Sequence, residues 1–236
     1  MGDDTRVESV QRQGESLVYL AVLPDNYEPE KSYPAVVLLH GFGSNMNDLK
    51  GLCPAIERER YIYLCPNAPI PVQIGPGKVG YAWTPTGPDR TPEDDEKAED
   101  MLNAFLEGAV AELHLDAERM VLGGFSQGGM MTYTLGLTNP GTFRGLFALS
   151  SRVSDAEDLR ERLPMDRDQA IFVAHGTSDS MISVEDARRT VQFLKDEGYR
   201  PDYKEYAMGH EINQDVLDDL VIWVHDVMGD SFQGPQ

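Results

Sequence analysis

The chain has 236 residues, 41% of them hydrophobic and 25% charged, which is the composition of a globular protein with enough apolar residues for a core. Its formal net charge of −20 argues against binding to nucleic acid or to an anionic membrane surface. This acidity has two open interpretations, adaptation to a salt-rich source or the ordinary acidity of many bacterial proteins. No apolar run approaches the roughly 18 residues of a membrane span, and residues 1–6 lack the basic and apolar regions of a signal peptide. We therefore expect a cytoplasmic protein without a membrane span.

The two cysteines, Cys53 and Cys65, are too few for a disulfide framework and do not have the spacing of a metal site. They are expected to be small buried residues. The sequence also contains no H-E-x-x-H pattern and no cluster of cysteine and histidine. We expect neither a metal nor any other cofactor.

Apolar runs alternate with helical patterns along most of the chain. Residues 1–15 are polar and expected to be frayed, and residues 16–23 predict an edge strand. Further strands are predicted at residues 35–39, 61–65, 145–150, 170–175 and 203–206, and one that begins at Val121. Helices are predicted at residues 47–60, 128–139, 184–198 and 212–228, and one that begins at Pro92. This alternation is typical of an α/β fold with a mostly parallel, doubly wound sheet and helices on both faces.

Two segments fall outside these elements. Residues 66–90 are rich in proline, glycine and threonine and predict a structureless loop, which at that length is usually functional. Residues 229–236 are expected to form a tail. Neither a linker nor an internal repeat divides the chain, so residues 1–236 are expected to form a single domain.

The helix that begins at Pro92 has a marked N-terminal signal. Thr91 is a typical N-cap residue, proline is favoured at the first helical position, and Asp94 stands where a capping box has its acid. The acidic run at residues 93–100 lies where the helix dipole favours negative charge, and we interpret it as a solvated helix face.

Residues 124–128 fit the G-x-S-x-G pattern of a nucleophile elbow, in which a sharp turn from strand to helix exposes a serine at the edge of the sheet. The pattern alone also fits an ordinary glycine-rich turn between a strand and a helix. In an elbow, Ser126 would be the nucleophile, and the N-terminus of the following helix would favour an oxyanion beside it.

A serine hydroxyl is a poor nucleophile at neutral pH, so it requires a base, and the base requires an acid to orient it. Ligands of α/β sheets bind beyond the carboxyl ends of the strands, where these partners are expected. Asp179 follows the strand at residues 170–175, and His210 follows the last strand in a glycine turn. Ser126, Asp179 and His210 stand in the chain order of the α/β hydrolases. We predict that they form a catalytic triad.

Other titratable residues suit these roles less well. Asp186, the nearest other acid, lies inside a predicted helix, and the remaining histidines are interpreted as structural: His40, His114, His175 and His225. The oxyanion hole of such a site is made of backbone N–H groups. We predict one from Gln127, next to the nucleophile, and one from Phe42, in the glycine turn after the strand at residues 35–39.

Four motifs together resemble the phospholipase/carboxylesterase family, which includes the acyl-protein thioesterases. They lie at residues 39–43, 123–129, 175–179 and 206–210. The resemblance extends over nearly the whole chain, from about residue 34 to residue 228. It implies an α/β-hydrolase fold without a large cap domain and a serine esterase that acts on carboxylic esters or thioesters. It also implies the same triad and the same two oxyanion donors.

The chain departs from the family pattern at two places beside the expected acyl site. The segment after Asp179 lacks the prolines usual in the family, and the segment after Trp83 lacks the acid that often follows there. Trp83, Met181 and Ile182 flank the site and are predicted to give it an apolar wall, although each also suits a place in the core. Esters with short to medium acyl chains are the expected substrates, and an exposed apolar rim would support a homodimer.

Other functions stay open at this point. A thioesterase or lysophospholipase for long acyl chains would use the same site, and an acyltransferase would use the same triad with an alcohol in place of water. A non-catalytic binding module is disfavoured, because the triad and the elbow glycines are all present. Nucleotide binding is disfavoured as well, because Met46 stands where the third glycine of a G-x-G-x-x-G pattern belongs.

Overall fold

The computed structural model of the chain describes residues 8–87 and 90–230. Its strands are β1 (Ser9–Gln13), β2 (Val18–Val22), β3 (Tyr33–Leu39), β4 (Ile62–Pro66), β5 (Ile70–Gly75), β6 (Lys78–Ala82), β7 (Leu115–Phe125), β8 (Gly145–Leu149), β9 (Ala170–Gly176) and β10 (Asp202–Tyr206). Its helices are α1 (Cys53–Ile56), which a 3₁₀ turn (Leu49–Leu52) precedes, α2 (Pro92–Leu113), α3 (Gln127–Thr138), α4 (Ala156–Arg162), α5 (Val184–Asp196) and α6 (Gln214–Met228).

Eight of the strands form one sheet in the order β1-β2-β4-β3-β7-β8-β9-β10, and β5 and β6 form a separate hairpin. β1 and β2 are antiparallel to their neighbours. Along the order of this sheet, all neighbouring strands from β4 to β10 are parallel. The predicted α/β fold with a mostly parallel sheet is confirmed, and the carboxyl ends of its central strands meet at one edge.

The core lies on both faces of the sheet because side chains along a strand point alternately to the two sides. In β3, Ala35, Val37 and Leu39 face one buried cluster, which includes side chains of α2, α3 and α5. Val36 and Leu38 face the other cluster, which includes side chains of α1 and α6. Burying an aliphatic side chain of this size stabilises a fold by about 1.5–3 kcal/mol, so the two clusters hold the helices against both faces. Within the described ranges, no helix has the length and apolar character needed to cross a membrane.

The prediction that residues 1–15 are frayed is wrong for β1. This strand pairs antiparallel with β2, with Ser9 opposite Val22, so β2 is not the edge of the sheet. β1 is polar and half exposed, as an edge strand often is, and its sequence therefore carries no apolar pattern. Residues 1–7 of the predicted segment lie outside the described residues.

The prediction that residues 229–236 form a tail is wrong for the first two of them. Gly229 ends α6 in a left-handed conformation, where its N–H donates to the Asp226 carbonyl at 3.0 Å. The Asp230 carboxylate accepts hydrogen bonds from the Tyr61 hydroxyl at 2.6 Å and from the Arg119 guanidinium at 3.0 Å. These contacts hold the end of α6 against the sheet, and residues 231–236 lie outside the described part of the chain.

Residues 66–90 are not a structureless loop, because they contain the β5–β6 hairpin. Most side chains of the hairpin are exposed or half exposed, so no core pattern marks its strands in the sequence. The helix predicted at residues 47–60 is reduced to the 3₁₀ turn and the single turn of α1. The start of α2 is confirmed: Thr91 is its N-cap, and the Asp94 carboxylate accepts the Thr91 N–H at 2.9 Å.

Candidate active site

Ser126 lies between β7 and α3 in a strained backbone conformation, with φ 54° and ψ −117°. Residues other than glycine rarely adopt a positive φ, and such backbone strain persists only where the surroundings enforce it. A Cβ at Gly124 would overlap the backbone of Gly128, and a Cβ at Gly128 would overlap the Leu39 carbonyl. Glycine is therefore required on both sides of the serine, and the turn has the geometry of a nucleophile elbow.

Asp179 and His210 lie on two turns that touch each other. The Thr177 N–H donates to the Tyr206 carbonyl at 2.8 Å and the Ser178 N–H donates to the Met208 carbonyl at 3.0 Å. A Cβ at Gly176 would overlap the carbonyl oxygens of the second turn, so a glycine is needed for the close approach. The two turns after β9 and β10 thereby bring the predicted acid and the predicted base together.

The Asp179 carboxylate has no exposed surface and is held by three donors. Its Oδ2 accepts the His210 Nδ1–H at 2.7 Å, and its Oδ1 accepts the N–H groups of Met181 at 2.8 Å and Ile182 at 3.0 Å. Burial alone would raise the pKa of Asp179, but the Ile182 N–H, the His210 ring and the Met181 N–H together lower it below its usual value. The carboxylate is therefore ionised beside the imidazole.

The orientation of the His210 ring follows from these contacts. Because Nδ1 donates to a carboxylate, Nε2 of the neutral ring has the free lone pair of a base. The ring packs against Phe125, the residue before the nucleophile, with ring centroids 4.8 Å apart. Among residues 8–87 and 90–230, no hydrogen bond joins this ring to the Ser126 hydroxyl. In a free enzyme this bond is often long and tightens when substrate binds.

The two predicted oxyanion donors flank the elbow. A Cβ at Gly41 would lie 3.4 Å from the Ser126 Cβ, which places the turn that contains Phe42 beside the serine. The turn is held by the hairpin, since the Gly43 N–H donates to the Tyr81 carbonyl at 2.8 Å. Across the described ranges, the backbone N–H groups of Phe42 and Gln127 donate to no protein acceptor. Their role as oxyanion donors stays a prediction.

A buried network of hydrogen bonds, which no pattern in the sequence indicates, supports this turn. The Trp83 indole N–H donates to the His40 carbonyl at 2.8 Å. His40 Nε2 accepts the Ala68 N–H at 3.1 Å, so Nδ1 is the protonated nitrogen and donates to the Gly41 carbonyl at 2.8 Å. Burial lowers the pKa of His40 and outweighs the opposite effects of Gly41 and Asp48, which favours this neutral form.

The residues predicted to wall the substrate site differ in exposure. Trp83 is 1% exposed and Ile182 is also buried, so each presents almost no surface to a substrate in this structure. Met181 is 75% exposed and Phe42 is 48% exposed. Met181 stays a proposed substrate contact, whereas the structure shows Trp83 and Ile182 packed beneath the site.

A serine held at positive φ between a parallel strand and a helix is the arrangement that defines the α/β hydrolases, and the sheet around it has their parallel centre. The protein is an α/β hydrolase. More narrowly, the chain belongs to the phospholipase/carboxylesterase family, whose sequence profile matches residues 26–226.

Individual relatives agree with this family. Over 188 residues the chain is 32% identical to acyl-protein thioesterase 1 of Mycosarcoma maydis, a match that covers 71% of this chain and 78% of the relative. Over 203 residues it is 28% identical to a probable carboxylesterase of Oryza sativa subsp. japonica, covering 80% and 76% of the two chains. The crystal structure of esterase PE8 is similar to this fold with a TM-score of 0.73 and 26% identity, covering 88% of this chain and 97% of that one.

Proposed function

We propose that the protein is a serine carboxylesterase that hydrolyses carboxylic esters through an acyl-enzyme on Ser126. The observation that carries this proposal is the 2.7 Å hydrogen bond between Asp179 and His210, whose ring packs against Phe125, the residue before the strained serine. Such an arrangement has a base with an oriented lone pair and a nucleophile forced out of the sheet edge. Membership of the phospholipase/carboxylesterase family supports the same reaction.

In the first step, Nε2 of His210 takes the proton of the Ser126 hydroxyl while the Ser126 oxygen attacks the ester carbonyl. The carbonyl π electrons move onto its oxygen, which becomes an oxyanion in a tetrahedral intermediate. The N–H groups of Phe42 and Gln127 stabilise this charge. The ionised Asp179 stabilises the imidazolium that has formed.

In the second step, the imidazolium of His210 protonates the leaving alcohol or thiol as the intermediate collapses to the acyl-enzyme. Water then loses a proton to the same imidazole and attacks the acyl carbonyl. The second tetrahedral intermediate collapses with release of the acid, and the Ser126 oxygen recovers its proton from His210.

Short to medium acyl chains are the proposed substrates, because Trp83 and Ile182, two of the three residues predicted to wall the acyl site, are buried and offer almost no apolar surface to a chain. The second candidate is a thioesterase for long acyl chains. The 32% identity to a protein named acyl-protein thioesterase 1 favours it, as do the exposed Phe42 and Met181 at the rim of the site.

The test is the hydrolysis of p-nitrophenyl esters from acetate to palmitate, beside a palmitoyl thioester, with Ser126→Ala as the blank. A maximum at short or medium chains supports the carboxylesterase, and a maximum at palmitate or the thioester supports the second candidate. Wild-type turnover retained in Ser126→Ala would remove Ser126 as the nucleophile. No turnover of any substrate would contradict hydrolysis and favour an acyltransferase, which is assayed by adding alcohol acceptors, or a binding module.

We also propose that the protein works in the cytoplasm as a homodimer. Cys53 and Cys65 are free and buried, as is usual in a reducing compartment. Exposed apolar side chains of the turn and the hairpin, Phe42, Ile74 and Val79, offer an apolar surface for a second copy. Cell fractionation tests the location, and sedimentation across a concentration series tests the assembly. A monomer at every concentration would contradict the dimer.

A further inference from the structure

Two buried serines, Ser150 and Ser151, follow the last residue of β8 at the edge of the sheet next to the elbow. Ser150 has a φ of 47°, so its backbone, like that of Ser126, has a positive φ that residues other than glycine rarely adopt. Its N–H donates to the Ala174 carbonyl of β9 at 2.8 Å, which holds the sharp turn in place. The turn directs Ser151 towards α3, and Ser151 is 1% exposed.

The Ser151 hydroxyl donates a hydrogen bond to the backbone carbonyl of Ser126 at 2.8 Å. The same carbonyl accepts the Met130 N–H at 3.1 Å, and the Ser126 N–H donates to the Leu149 carbonyl at 2.9 Å. Both backbone groups of the strained serine are thus held, and two of the three bonds come from the end of β8. The fit is close, because a Cβ at Gly129 would lie 2.7 Å from the Ser151 oxygen.

The Ser126 carbonyl belongs to the same peptide unit as the Gln127 N–H, which is one of the two predicted oxyanion donors. A peptide unit is planar and rigid, with its C=O and N–H pointing in opposite directions. A hydrogen bond that fixes the Ser126 carbonyl therefore also fixes the direction of the Gln127 N–H. It restrains the backbone that aims the Ser126 hydroxyl as well.

We propose that Ser151 is a positioning residue, whose hydroxyl holds the peptide between Ser126 and Gln127 in the orientation that the oxyanion requires. This role rests on the proposed function, in which Ser126 is the nucleophile. Without the Ser151 hydroxyl, the Ser126 carbonyl keeps only the bond from Met130, and the peptide has more freedom to tilt. The Gln127 N–H would then point less directly at the oxyanion in the transition state, while binding of the substrate in the ground state would change little.

The test is a series at one position, Ser151→Ala and Ser151→Cys, because alanine removes the donor and a thiol is a weaker one. Removing an oxyanion donor outright lowers kcat by about 10²–10³-fold, so we expect a loss of about 10-fold for a misaimed donor in Ser151→Ala. The Cys variant should fall between alanine and wild type, with KM within about 2-fold of wild type in both variants. The matched control is Thr138→Val, which removes a hydroxyl that donates to the Thr134 carbonyl at 2.7 Å at the far end of α3.

A second readout does not depend on the ester. A fluorophosphonate forms a bond from the Ser126 oxygen to phosphorus with loss of fluoride, and its phosphoryl oxygen occupies the oxyanion position. Its rate of labelling should fall in Ser151→Ala in parallel with kcat and stay at the wild-type value in Thr138→Val. Wild-type kcat and labelling in Ser151→Ala would overturn the role, as would equal losses in the control. A wild-type protein that is labelled but hydrolyses no ester or thioester would contradict the proposed function alone, and labelling would still test Ser151.

Discussion

The side-chain amide of Gln127 is bonded at both ends to the segment that begins at Trp83. Its Oε1 accepts the Trp83 N–H at 2.9 Å, and its Nε2 donates to the Thr84 carbonyl at 2.9 Å. Gln127 thus joins the first turn of α3 to the chain that follows the hairpin, and the same residue supplies a predicted oxyanion N–H. The indole of Trp83 continues the connection to the turn of the second donor through the His40 carbonyl.

Gln127→Ala should destabilise the fold and slow the reaction. It leaves the Trp83 N–H and the Thr84 carbonyl buried without this partner, which costs about 1–3 kcal/mol for each unsatisfied group. Urea unfolding measures the loss of stability, and ester hydrolysis measures kcat. The control is Gln192→Ala, because Gln192 is an exposed residue whose side chain donates to Asp196 within α5. Equal stability of the two variants would contradict a supporting role of the Gln127 side chain.

Asp179→Asn should lower kcat by about 10⁴-fold, the loss seen when a triad carboxylate is replaced by an amide and the imidazole takes the wrong tautomer. KM should change little, because Asp179 is buried beneath the histidine. Asp186→Asn is the matched control, since the Asp186 carboxylate bonds to Ser183 and Arg189 at the start of α5, away from His210 in the chain. If the two variants were equally active, Asp179 would not be the acid of the site.

The stability that Asp179 contributes should disappear in acid. Because its pKa is lowered in the folded state, its carboxylate stabilises the fold above the unfolded value of about 3.9, and this contribution is lost as the pH falls through the lower folded value. The difference in unfolding free energy between wild type and Asp179→Asn should therefore shrink as the pH falls below about 4. Chemical denaturation across this range measures it. A difference that does not change with pH would contradict the lowered pKa.

Gly128→Ala should abolish activity and impair folding. The added methyl group would overlap the Leu39 carbonyl, which belongs to the rigid centre of the sheet. Gly51→Ala is the control, because a Cβ there meets no atom within 4 Å. Thermal melting and ester hydrolysis of both variants test the expectation. A stable, active Gly128→Ala protein would show that the elbow tolerates a side chain.

The net charge of −20 leads to a prediction about salt. If the chain is adapted to a salt-rich source, raising KCl should screen the repulsion between its carboxylates and raise both melting temperature and activity. Melting and hydrolysis across a KCl series provide the measurement. Indifference to KCl would leave only the second interpretation, the ordinary acidity of many bacterial proteins.

Some features were predictable because their signals are local. The start of α2 depends on Thr91, Pro92 and Asp94, which act on one helix turn, and it is confirmed. The buried parallel strands β3, β4, β8 and β9 are continuous apolar runs, and they lie within one or two residues of the predicted ranges. The prediction that the elbow strand begins at Val121 is wrong, because β7 begins at Leu115. The assignment of Ser126, Asp179 and His210 rests on their order at strand ends, and their catalytic role stays a prediction that the variants above test.

Other features have no local signal. β1 and the β5–β6 hairpin are mostly exposed, so backbone pairing rather than an apolar pattern defines them. The hairpin matters for the site because the Tyr81 carbonyl accepts the Gly43 N–H beside a predicted oxyanion donor. The supporting role of the Gln127 side chain is equally hidden, because a glutamine at the start of a helix is an ordinary solvent-facing residue in most sequences.

The fold class and the family can be inferred without a structure, because they depend on residues at fixed spacing along each strand and turn. Glycines around a serine and polar residues after buried strands keep that meaning without knowledge of their neighbours. The contacts between distant residues, in contrast, are visible only in the folded chain. His210 bonds to Asp179, 31 residues away, and Gln127 holds Trp83, 44 residues away. Such contacts form only when the strands are ordered in the sheet and their carboxyl ends converge, since a hydrogen bond requires its two groups within about 3 Å.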